Sequence, residues 1–233
     1  MEEYYNRANP DLLSSIPAGV KRILEFGCGA GALGRAVRGL RPEVEYWGVE
    51  VSPEAARAAR YHLNGVIEAD ADLFDPLTKF DPASFDLLVY GDVLEHLRDP
   101  WETLRRHHAL LASGGRVLAC IPNVQYWTML GHLIRGSWQY GRDGLLDKSH
   151  LHFFDLNSII QLFENAGFRM ESARSRMVGF ANDEAAFERV QTLLQPLLLE
   201  SGVDPADFRA RSRAYQYIVL AQETEQLPGG KRE

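Results

Sequence analysis

The chain has 233 residues, of which 45% are apolar and 24% are charged, a composition that supports one globular core. Its formal net charge of -7 disfavours a nucleic-acid partner, because neutralising phosphates requires clustered Lys and Arg. No apolar run approaches the roughly 18 residues of a membrane span, and the first residues lack the basic and apolar regions of a signal peptide. We therefore expect a cytoplasmic monomer or homodimer that acts on a small molecule, without nucleic-acid or membrane partners.

Short apolar runs alternate with helix-like stretches along most of the chain. Five predicted strands lie, in order, in VKRILEFG, VEYWGVEV, NGVIEAD, FDLLVYGD and GGRVLACIPN. Stretches such as SPEAARAARYHL and DPWETLRRHHALLA have the helical pattern and lie between them. This alternation predicts a parallel sheet with helices on both faces. After residue 167, GFRMESARSRMVG and AYQYIVLAQ predict two further strands.

Three local features receive structural assignments. Cys28 and Cys120 fall at the ends of predicted strands and are expected to be buried core residues, since two cysteines cannot supply a disulfide framework. Residues 113–115, Ser-Gly-Gly, are predicted to turn the chain into the fifth strand. His107 lies in a charged helical stretch and is predicted to be solvated.

The stretch EFGCGAGALG follows the first predicted strand and fits two nucleotide-binding patterns. Glu25, Gly27, Gly29 and Gly31 form acid-x-G-x-G-x-G, a pattern typical of proteins that bind sulfonium nucleosides. Gly29, Gly31 and Gly34 also form G-x-G-x-x-G, the dinucleotide signature. Both cofactors also use an acid at the end of the second strand, where Glu50 can accept both ribose hydroxyls. The loop and Glu50 therefore leave the two cofactors open.

Other acidic residues favour the sulfonium nucleoside. A carboxylate at Glu25 suits an ammonium group better than a pyrophosphate. Asp70, in EADAD after the third strand, can accept from an adenine amino group while the Ala71 N–H donates to the ring. The chain also lacks a Tyr-x-x-x-Lys pair and a second domain for hydride transfer. These features disfavour a dinucleotide-dependent dehydrogenase.

The motifs ILEFGCGAG, YWGVEVS, EADAD, FDLLVYGDVLEHLRDP and SGGRVLACIPN, in this order and spacing, resemble the class I S-adenosylmethionine-dependent methyltransferases. The resemblance covers about residues 20–222. It implies S-adenosyl-L-methionine as the cofactor and an α/β, Rossmann-like, seven-stranded sheet of order 3-2-1-4-5-7-6 whose last strand is antiparallel. We expect a single methyltransferase domain over 1–222 and a disordered tail over 223–233.

The resemblance also implies which residues contact the cofactor. The glycines of the loop would wrap the methionine portion, Glu50 would bind the ribose, and Asp70 with Ala71 would bind the adenine. The full set of expected cofactor residues is Glu25, Gly27, Gly29, Gly31, Glu50, Val51, Asp70, Ala71 and Gly91.

Methyl transfer to an alcohol or ammonium group requires the acceptor to lose a proton, most often to a histidine. Because open α/β sheets bind ligands beyond the carboxyl ends of their strands, candidate bases must lie in loops at that edge. His96 follows the fourth strand and His150 lies in the long segment after the fifth. We predict one of them to be the catalytic base, with a purely structural histidine as the alternative.

Two interpretations of the sequence DVLEH remain open. Asp92 and Glu95 fit a capping box, in which Asp92 caps a helix and Glu95 returns to its backbone N–H, and no metal is then needed. Alternatively, Asp92, Glu95 and His96 lie on one helix face, and a later histidine completes a divalent-metal site. Some metal-dependent methyltransferases, including RNA 2′-hydroxyl and ubiquinone-pathway families, resemble this pattern with Glu in place of Asp92.

Two long segments interrupt the expected topology at the substrate edge. Residues 121–157 exceed the usual connection between a strand and a helix, and Tyr126 and Trp127 are predicted to wall a substrate pocket, with packing on the sheet edge as the alternative. Residues 180–213 are predicted to form a helical cover. Its leucines at 193, 194, 197 and 198 form a stripe that must bury itself against the domain, a partner subunit or the substrate. Tyr5, in the N-terminal segment, is predicted to close the site, with a helix that only docks on the domain as the alternative.

The predicted function is methyl transfer from S-adenosylmethionine to a hydroxyl or amine of a small molecule. A weaker likeness, carried by the N-terminal EYYNRANPDLL and the segment from IPNVQYW to HFFDLNS, points to glycan or natural-product tailoring. A non-catalytic protein of the same fold that binds the cofactor is the alternative, and so is a metal-assisted O-methyltransferase.

Overall fold

The computed structural model describes residues 8–178 and 181–224, with the side chains of 181–183 excepted. Seven strands form one sheet. Their bounds are β1 Arg22–Phe26, β2 Glu45–Glu50, β3 Gly65–Glu68, β4 Phe85–Gly91, β5 Leu111–Pro122, β6 Phe168–Arg176 and β7 Gln216–Glu223.

The order of strands across the sheet is β3-β2-β1-β4-β5-β7-β6. The first five strands pair in parallel, and β7 pairs antiparallel with both β5 and β6. This is the predicted order, and the antiparallel last strand is confirmed. The carboxyl ends of β1 to β5 and the start of β7 consequently meet at one edge, which we call the carboxyl edge.

Eight α-helices connect or flank the strands within the described residues. They are α1 Pro10–Ser15, α2 Ala32–Leu40, α3 Pro53–Ala59, α4 Pro100–His108, α5 Thr128–Ile134, α6 Leu156–Asn165, α7 Ala181–Glu200 and α8 Pro205–Arg213. Side chains of Asn9, Ser52, Asp99, Asp155 and Asp204 cap the N-termini of five of them by accepting backbone N–H groups. None of the described helices is both long and apolar enough to cross a membrane.

Each face of the sheet carries its own hydrophobic core, because successive side chains of a strand point to opposite faces. Ile23 of β1 packs with α1, α2 and α3, whereas Leu24 and Phe26 pack with α4 and α6 on the other face. Cys28 and Cys120 are both buried, as predicted. The prediction of helices on both faces is confirmed.

Residues 113–115 lie inside the bounds of β5, where the pairing with β4 passes from Phe85–Leu111 to Leu87–Arg116 and Gly114 has a φ of 76°, so the predicted turn lies within the strand and not before it. The prediction for His107 was wrong. His107 is fully buried, because its helix presents that face to the sheet. Its ring stacks on Phe26 with centroids 4.1 Å apart. Burial, followed by the charge of Arg106, lowers the pKa of His107 to about 3, so it is a neutral core residue.

The long segments have their own secondary structure. The connection after β5 contains α5, and the connection between β6 and β7 consists of α7 and α8. Leu198 of the predicted stripe is buried, but Leu193 is 80% and Leu197 is 58% exposed, so this chain alone does not bury the stripe. At the C-terminus, β7 extends to Glu223, the first residue of the expected tail, and 225–233 lie outside the described residues.

Candidate active site at the carboxyl edge

The glycine-rich loop leaves β1 in a conformation that only glycine adopts without strain. Gly27, Gly29 and Gly31 have φ angles of 69°, 53° and 80°. The N–H of Gly27 donates to the carbonyl of Val49 at 2.8 Å, which fixes the loop to β2. A Cβ added to Gly27 would lie 2.5 Å from Cγ2 of Val93, so the loop directly contacts the segment after β4.

Glu50 ends β2 directly beside this loop. Its carboxylate accepts the N–H of Gly29 at 2.8 Å on one oxygen and the N–H of Ser52 at 2.8 Å on the other. Each carboxylate oxygen has a second lone pair, so a ribose diol can be accepted in addition. Val51 is 65% exposed at the same strand end. The predicted ribose and nucleoside contacts of Glu50 and Val51 remain predictions.

Glu25 lies beneath the loop, in the hydrophobic core. Its carboxyl group accepts the hydroxyl of Tyr46 at 3.0 Å, and the residue is buried. Burial raises its pKa to about 8 against the opposing effect of the Tyr46 hydrogen bond, and the charge of Glu50 adds to the rise. Glu25 is therefore mostly protonated at neutral pH. Its predicted contact with an ammonium group stays a prediction.

The remaining expected cofactor residues lie at the ends of β3 and β4. Asp70 accepts the N–H of Asp72 at 2.9 Å, which forms a tight turn after β3, and the carbonyl of Ala71 accepts from Arg106 at 3.3 Å. Gly91 ends β4, where an added Cβ would lie 2.9 Å from Cδ1 of Leu12 in α1. All nine expected residues thus belong to, or directly follow, the ends of β1 to β4.

The segment after β4 does not form the predicted capping box. Asp92 has a φ of 55°, a left-handed conformation that is uncommon outside glycine, and Leu94–His96 is a single 3₁₀ turn. No helix begins there for Asp92 to cap. The carbonyl of Glu95 instead accepts the N–H groups of Leu151 and His152, at 2.8 and 3.1 Å, from the long segment after β5. That pairing joins the two loops.

The side chain of Glu95 is buried away from water and from other polar groups of the described residues that could bond it. The residue is 1% exposed, and neither carboxyl oxygen has a hydrogen-bond partner from another described residue. Burial, and next the charge of Asp92, raise the pKa of Glu95 well above its usual range. An acid left in this state is costly for stability, which points to a functional role.

His96 and His150 complete a cluster with Glu95. One ligand atom from each of the three residues can be chosen so that all lie within 4.8 Å of one another. Each imidazole Nδ1 faces a backbone carbonyl at 3.2 Å, that of Ser149 for His96 and that of Leu145 for His150. If Nδ1 carries the proton, Nε2 presents a lone pair, which is the tautomer that metal-binding histidines adopt. The three residues fit a divalent cation. Asp92, expected to be a ligand in the metal alternative, does not belong to this cluster.

The aromatic residues predicted to wall the substrate pocket have mixed environments. Tyr126 is buried, and its hydroxyl donates to the carbonyl of Val178 at 3.3 Å. The ring of Trp127 lies 6.2 Å from that of Phe187 in α7, which connects the two long segments. Tyr5 lies outside the described residues. The substrate contacts of all three stay predictions.

Sequence reasoning missed Tyr215. Its ring meets that of Tyr126 edge to face at 5.2 Å, and burial, then the nearby charge of Asp92, raise its pKa. The position was recognisable, because an antiparallel last strand begins at the carboxyl edge and Tyr215 immediately precedes β7. Polar residues at the start of that strand therefore belong with the candidate site.

Comparison with known proteins decides the family. A family described as a methyltransferase domain matches residues 1–173. The chain belongs to this methyltransferase family. Membership confirms the class that the motifs predicted, together with S-adenosylmethionine as its cofactor.

Among relatives by sequence are two ubiquinone biosynthesis O-methyltransferases. That of Xanthomonas campestris pv. campestris strain B100 is 32% identical over 122 residues, 49% of this chain and 50% of the relative. That of Xanthomonas euvesicatoria pv. vesicatoria strain 85-10 is 28% identical over 156 residues, 64% of this chain and 63% of the relative. The matched region thus spans between half and two thirds of each relative's length.

Solved structures confirm the fold. An S-adenosylmethionine-dependent methyltransferase from Archaeoglobus fulgidus has a TM-score of 0.62 and 16% identity, covering 95% of this chain and 94% of that one. The 1,6-didemethyltoxoflavin-N1-methyltransferase of Burkholderia thailandensis, with bound S-adenosylhomocysteine and 1,6-didemethyltoxoflavin, has a TM-score of 0.55 and 15% identity, covering 93% and 76%. At these identities the likeness concerns the fold.

Proposed function

We propose that this methyltransferase transfers the methyl group of S-adenosylmethionine to a hydroxyl of a small molecule, and that Glu95, His96 and His150 hold a divalent cation at the acceptor site. The single observation that carries the proposal is the buried carboxyl group of Glu95, which has no hydrogen-bond partner from another described residue, beside two histidines at the carboxyl edge. The sequence relatives named as O-methyltransferases support a hydroxyl acceptor.

The position of the cluster supports its role as the acceptor site. Val93 contacts the glycine-rich loop, and Glu95 and His96 follow two and three residues later. The methyl group must be attacked in line from the side opposite the sulfur, with about 3 Å between the reacting atoms. Groups that follow β4 can hold an acceptor on that side. A protein that only binds the cofactor has no need for an uncompensated acid there.

The chemistry requires removal of the hydroxyl proton. A bound divalent cation lowers the pKa of a coordinated hydroxyl and orients it. Glu95 and the two histidines would hold the cation, and the carbonyls of Ser149 and Leu145 would fix the orientation of the imidazole rings. Burial, then the charge of His96, lower the pKa of His150, which favours the neutral form needed for ligation or proton acceptance.

The test uses radiolabelled S-adenosylmethionine with three acceptors: 3,4-dihydroxybenzoate, methyl glucoside and benzylamine. We expect methylation of a hydroxylated probe that is abolished by EDTA and restored by Mg²⁺ or Mn²⁺. Activity that resists a chelator would overturn the metal site and return His96 or His150 to the role of general base. Methylation of benzylamine alone would overturn the hydroxyl acceptor. Binding of S-adenosylhomocysteine without any transfer would favour the binding-only protein.

Variants locate the site. Glu95→Gln removes the anionic ligand without changing the side-chain volume, and we expect turnover to fall by about 10²-fold, the upper part of the range for loss of a group that supports a metal site. His150→Ala should have a similar effect. The matched control is His152→Ala, because His152 lies two residues from His150 and its Nε2 donates to the carbonyl of Arg98, outside the cluster. Unchanged cofactor affinity in all three variants would assign the losses to the acceptor side.

A further inference from the structure

A chain of four side chains connects the N-terminal helix to the segment after β4. Asp11 of α1 pairs with Arg176, at the end of β6, with Nε and Oδ2 separated by 3.1 Å. Nη1 of Arg176 donates to Oε1 of Gln216, the first residue of β7. Nε2 of Gln216 then donates to Oδ1 of Asp92. We call these four residues the Asp11–Asp92 relay.

The polarity of the relay is fixed by the chemistry of its members. Arginine only donates and an aspartate only accepts, so the amide of Gln216 must turn its oxygen to Arg176 and its nitrogen to Asp92. Gln216 is 7% exposed, so water does not readily replace either partner. A reversed amide would oppose its NH₂ group to the guanidinium and its oxygen to the carboxylate. The relay therefore specifies one orientation of Gln216 and one position of the Asp92 carboxylate.

Among the four residues of the relay, Asp92 is the one whose conformation bears on the candidate site. Its left-handed φ of 55° is a strained conformation, which persists only where surrounding contacts hold it. Its N–H donates to the carbonyl of Cys120 at 3.1 Å, and Gln216 holds its side chain. The turn that carries Glu95 and His96 begins two residues later. The direction in which this turn leaves β4 thus depends on Asp92.

The other end of the relay is attached to the same strand ends. Leu12 of α1 packs on Gly91, and Nδ2 of Asn9, the cap of α1, lies 3.7 Å from Sγ of Cys120. Helix α1 has six residues, too few to be stable without tertiary contacts. The ion pair with Arg176 is one such contact. Docking of α1 and the geometry of the Asp92 turn are therefore physically connected.

We propose that Arg176 and Gln216 are positioning residues for methyl transfer: they couple the docking of α1 to the conformation of the Asp92 turn, and through it to the placement of Glu95 and His96. This inference rests on the proposed acceptor site but needs no knowledge of the acceptor. Neither residue belongs to the cluster of Glu95, His96 and His150. Their effect on turnover passes through Asp92.

Hydrogen–deuterium exchange of the full chain tests the coupling directly. Gln216→Glu keeps the shape and can still accept from Arg176, but it cannot donate to Asp92 and it adds a like charge. We expect faster exchange both in 92–97 and at the α1 amides. The control is Arg174→Gln. Arg174 lies on β6, as Arg176 does, and it donates to Ser15 of α1 without joining the relay. It should leave exchange in 92–97 unchanged.

Two results would overturn the proposed coupling between α1 and the Asp92 turn. One is Gln216→Glu exchanging like the wild type in 92–97. The other is Arg174→Gln accelerating exchange there as much as Gln216→Glu does, which would reduce the relay to general support of α1. Arg176→Lys retains a positive charge and hydrogen-bond donors. Its rate of exchange in 92–97 should therefore lie between that of the wild type and that of Arg176→Gln.

Kinetics with 3,4-dihydroxybenzoate supplies a second readout. Asp11→Asn and Gln216→Glu should each lower kcat by about tenfold, the loss expected when a supporting hydrogen-bond partner is removed, with the affinity for S-adenosylhomocysteine unchanged. The double variant should be no slower than Gln216→Glu alone, because the connection is already broken. Multiplicative losses would overturn the coupling. If the wild type methylates none of the probes, the proposed function fails. The exchange experiment still tests the coupling between α1 and the Asp92 turn in that case.

Discussion

Glu25 illustrates how tertiary packing changes the charge of a motif residue. The motif places an acid before the glycines, and the fold buries that acid against Tyr46 with a pKa of about 8, compared with an ordinary value of 4.5. Between these pH values the unfolded chain releases a proton that the folded protein retains. Raising the pH across that interval therefore destabilises the folded protein.

The prediction from this linkage concerns Glu25→Gln. The free energy of unfolding of the wild type should decline relative to that of the variant as the pH rises from about 4.5 to about 8, and the two should run parallel above that interval. Urea denaturation at several pH values measures this. Glu43→Gln, at an exposed glutamate, serves as the control and should track the wild type. A constant difference between Glu25→Gln and the wild type would show that Glu25 is charged in the folded state.

At the scale of elements, the glycine-rich loop depends on close contact with the segment after β4. In Gly27→Ala the new Cβ would meet Val93 at 2.5 Å, in addition to the strain of a positive φ. We expect calorimetry to show a large loss of affinity for S-adenosylhomocysteine.

Gly19→Ala separates the two effects. Gly19 also has a positive φ, of 82°, but an added Cβ would have no atom within 4 Å. The Gly19→Ala variant should lose about 1 to 2 kcal/mol of folding stability through backbone strain and keep its affinity for S-adenosylhomocysteine. Equal effects of the two substitutions on affinity would contradict the importance of the contact with Val93.

The helices α7 and α8, between β6 and β7, pack on each other and contact the segment after β5. Phe187 of α7 is 1% exposed, lies 6.2 Å from Trp127, and stacks beneath the guanidinium groups of Arg209 and Arg213. Glu184 pairs with both of these arginines. These contacts favour the predicted cover, and a decorative hairpin or a dimer contact remains the alternative.

Phe187→Ala tests the cover. Removing the ring should loosen α7 from Trp127 and raise the Michaelis constant for the methylated probe, with the constant for S-adenosylmethionine unchanged. Leu197→Ala is the matched control, because Leu197 lies on the same helix and is exposed. If Phe187→Ala destabilises the protein but leaves both Michaelis constants at the parent's values, α7 does not cover the substrate.

For the whole molecule, the residues predicted to bind the cofactor are distributed over the ends of four strands. A ligand that engages all of them binds only the folded state and raises the melting temperature with its concentration. We expect S-adenosylhomocysteine to do so in a thermal-shift titration and NADH to have no effect. Stabilisation by NADH without a response to S-adenosylhomocysteine would contradict the cofactor assignment.

The sequence by itself determined the fold and the cofactor class. Strand patterns, glycine spacing and acids at strand ends are local features, and the order in which they occur identifies the sheet because parallel strands end at one edge. The same rule placed His96 and His150 near each other although 54 positions separate them. Glu95 was predictable only as one of two alternatives, since its spacing from Asp92 fits a cap as well as a ligand.

Only the tertiary structure removed the capping box from those alternatives. The left-handed backbone of Asp92 removes the helix that a capping box requires, and that conformation depends on Gln216 and Cys120, which lie far away in the sequence. Likewise, His107 lies in a charged stretch of the sequence, yet packing against Phe26 buries it in the folded protein. Burial, pKa and the partners of a carboxyl group are set by residues from several elements at once. No local pattern contains that information, and for this reason the cluster of Glu95, His96 and His150 could be recognised as a candidate site only in the folded chain.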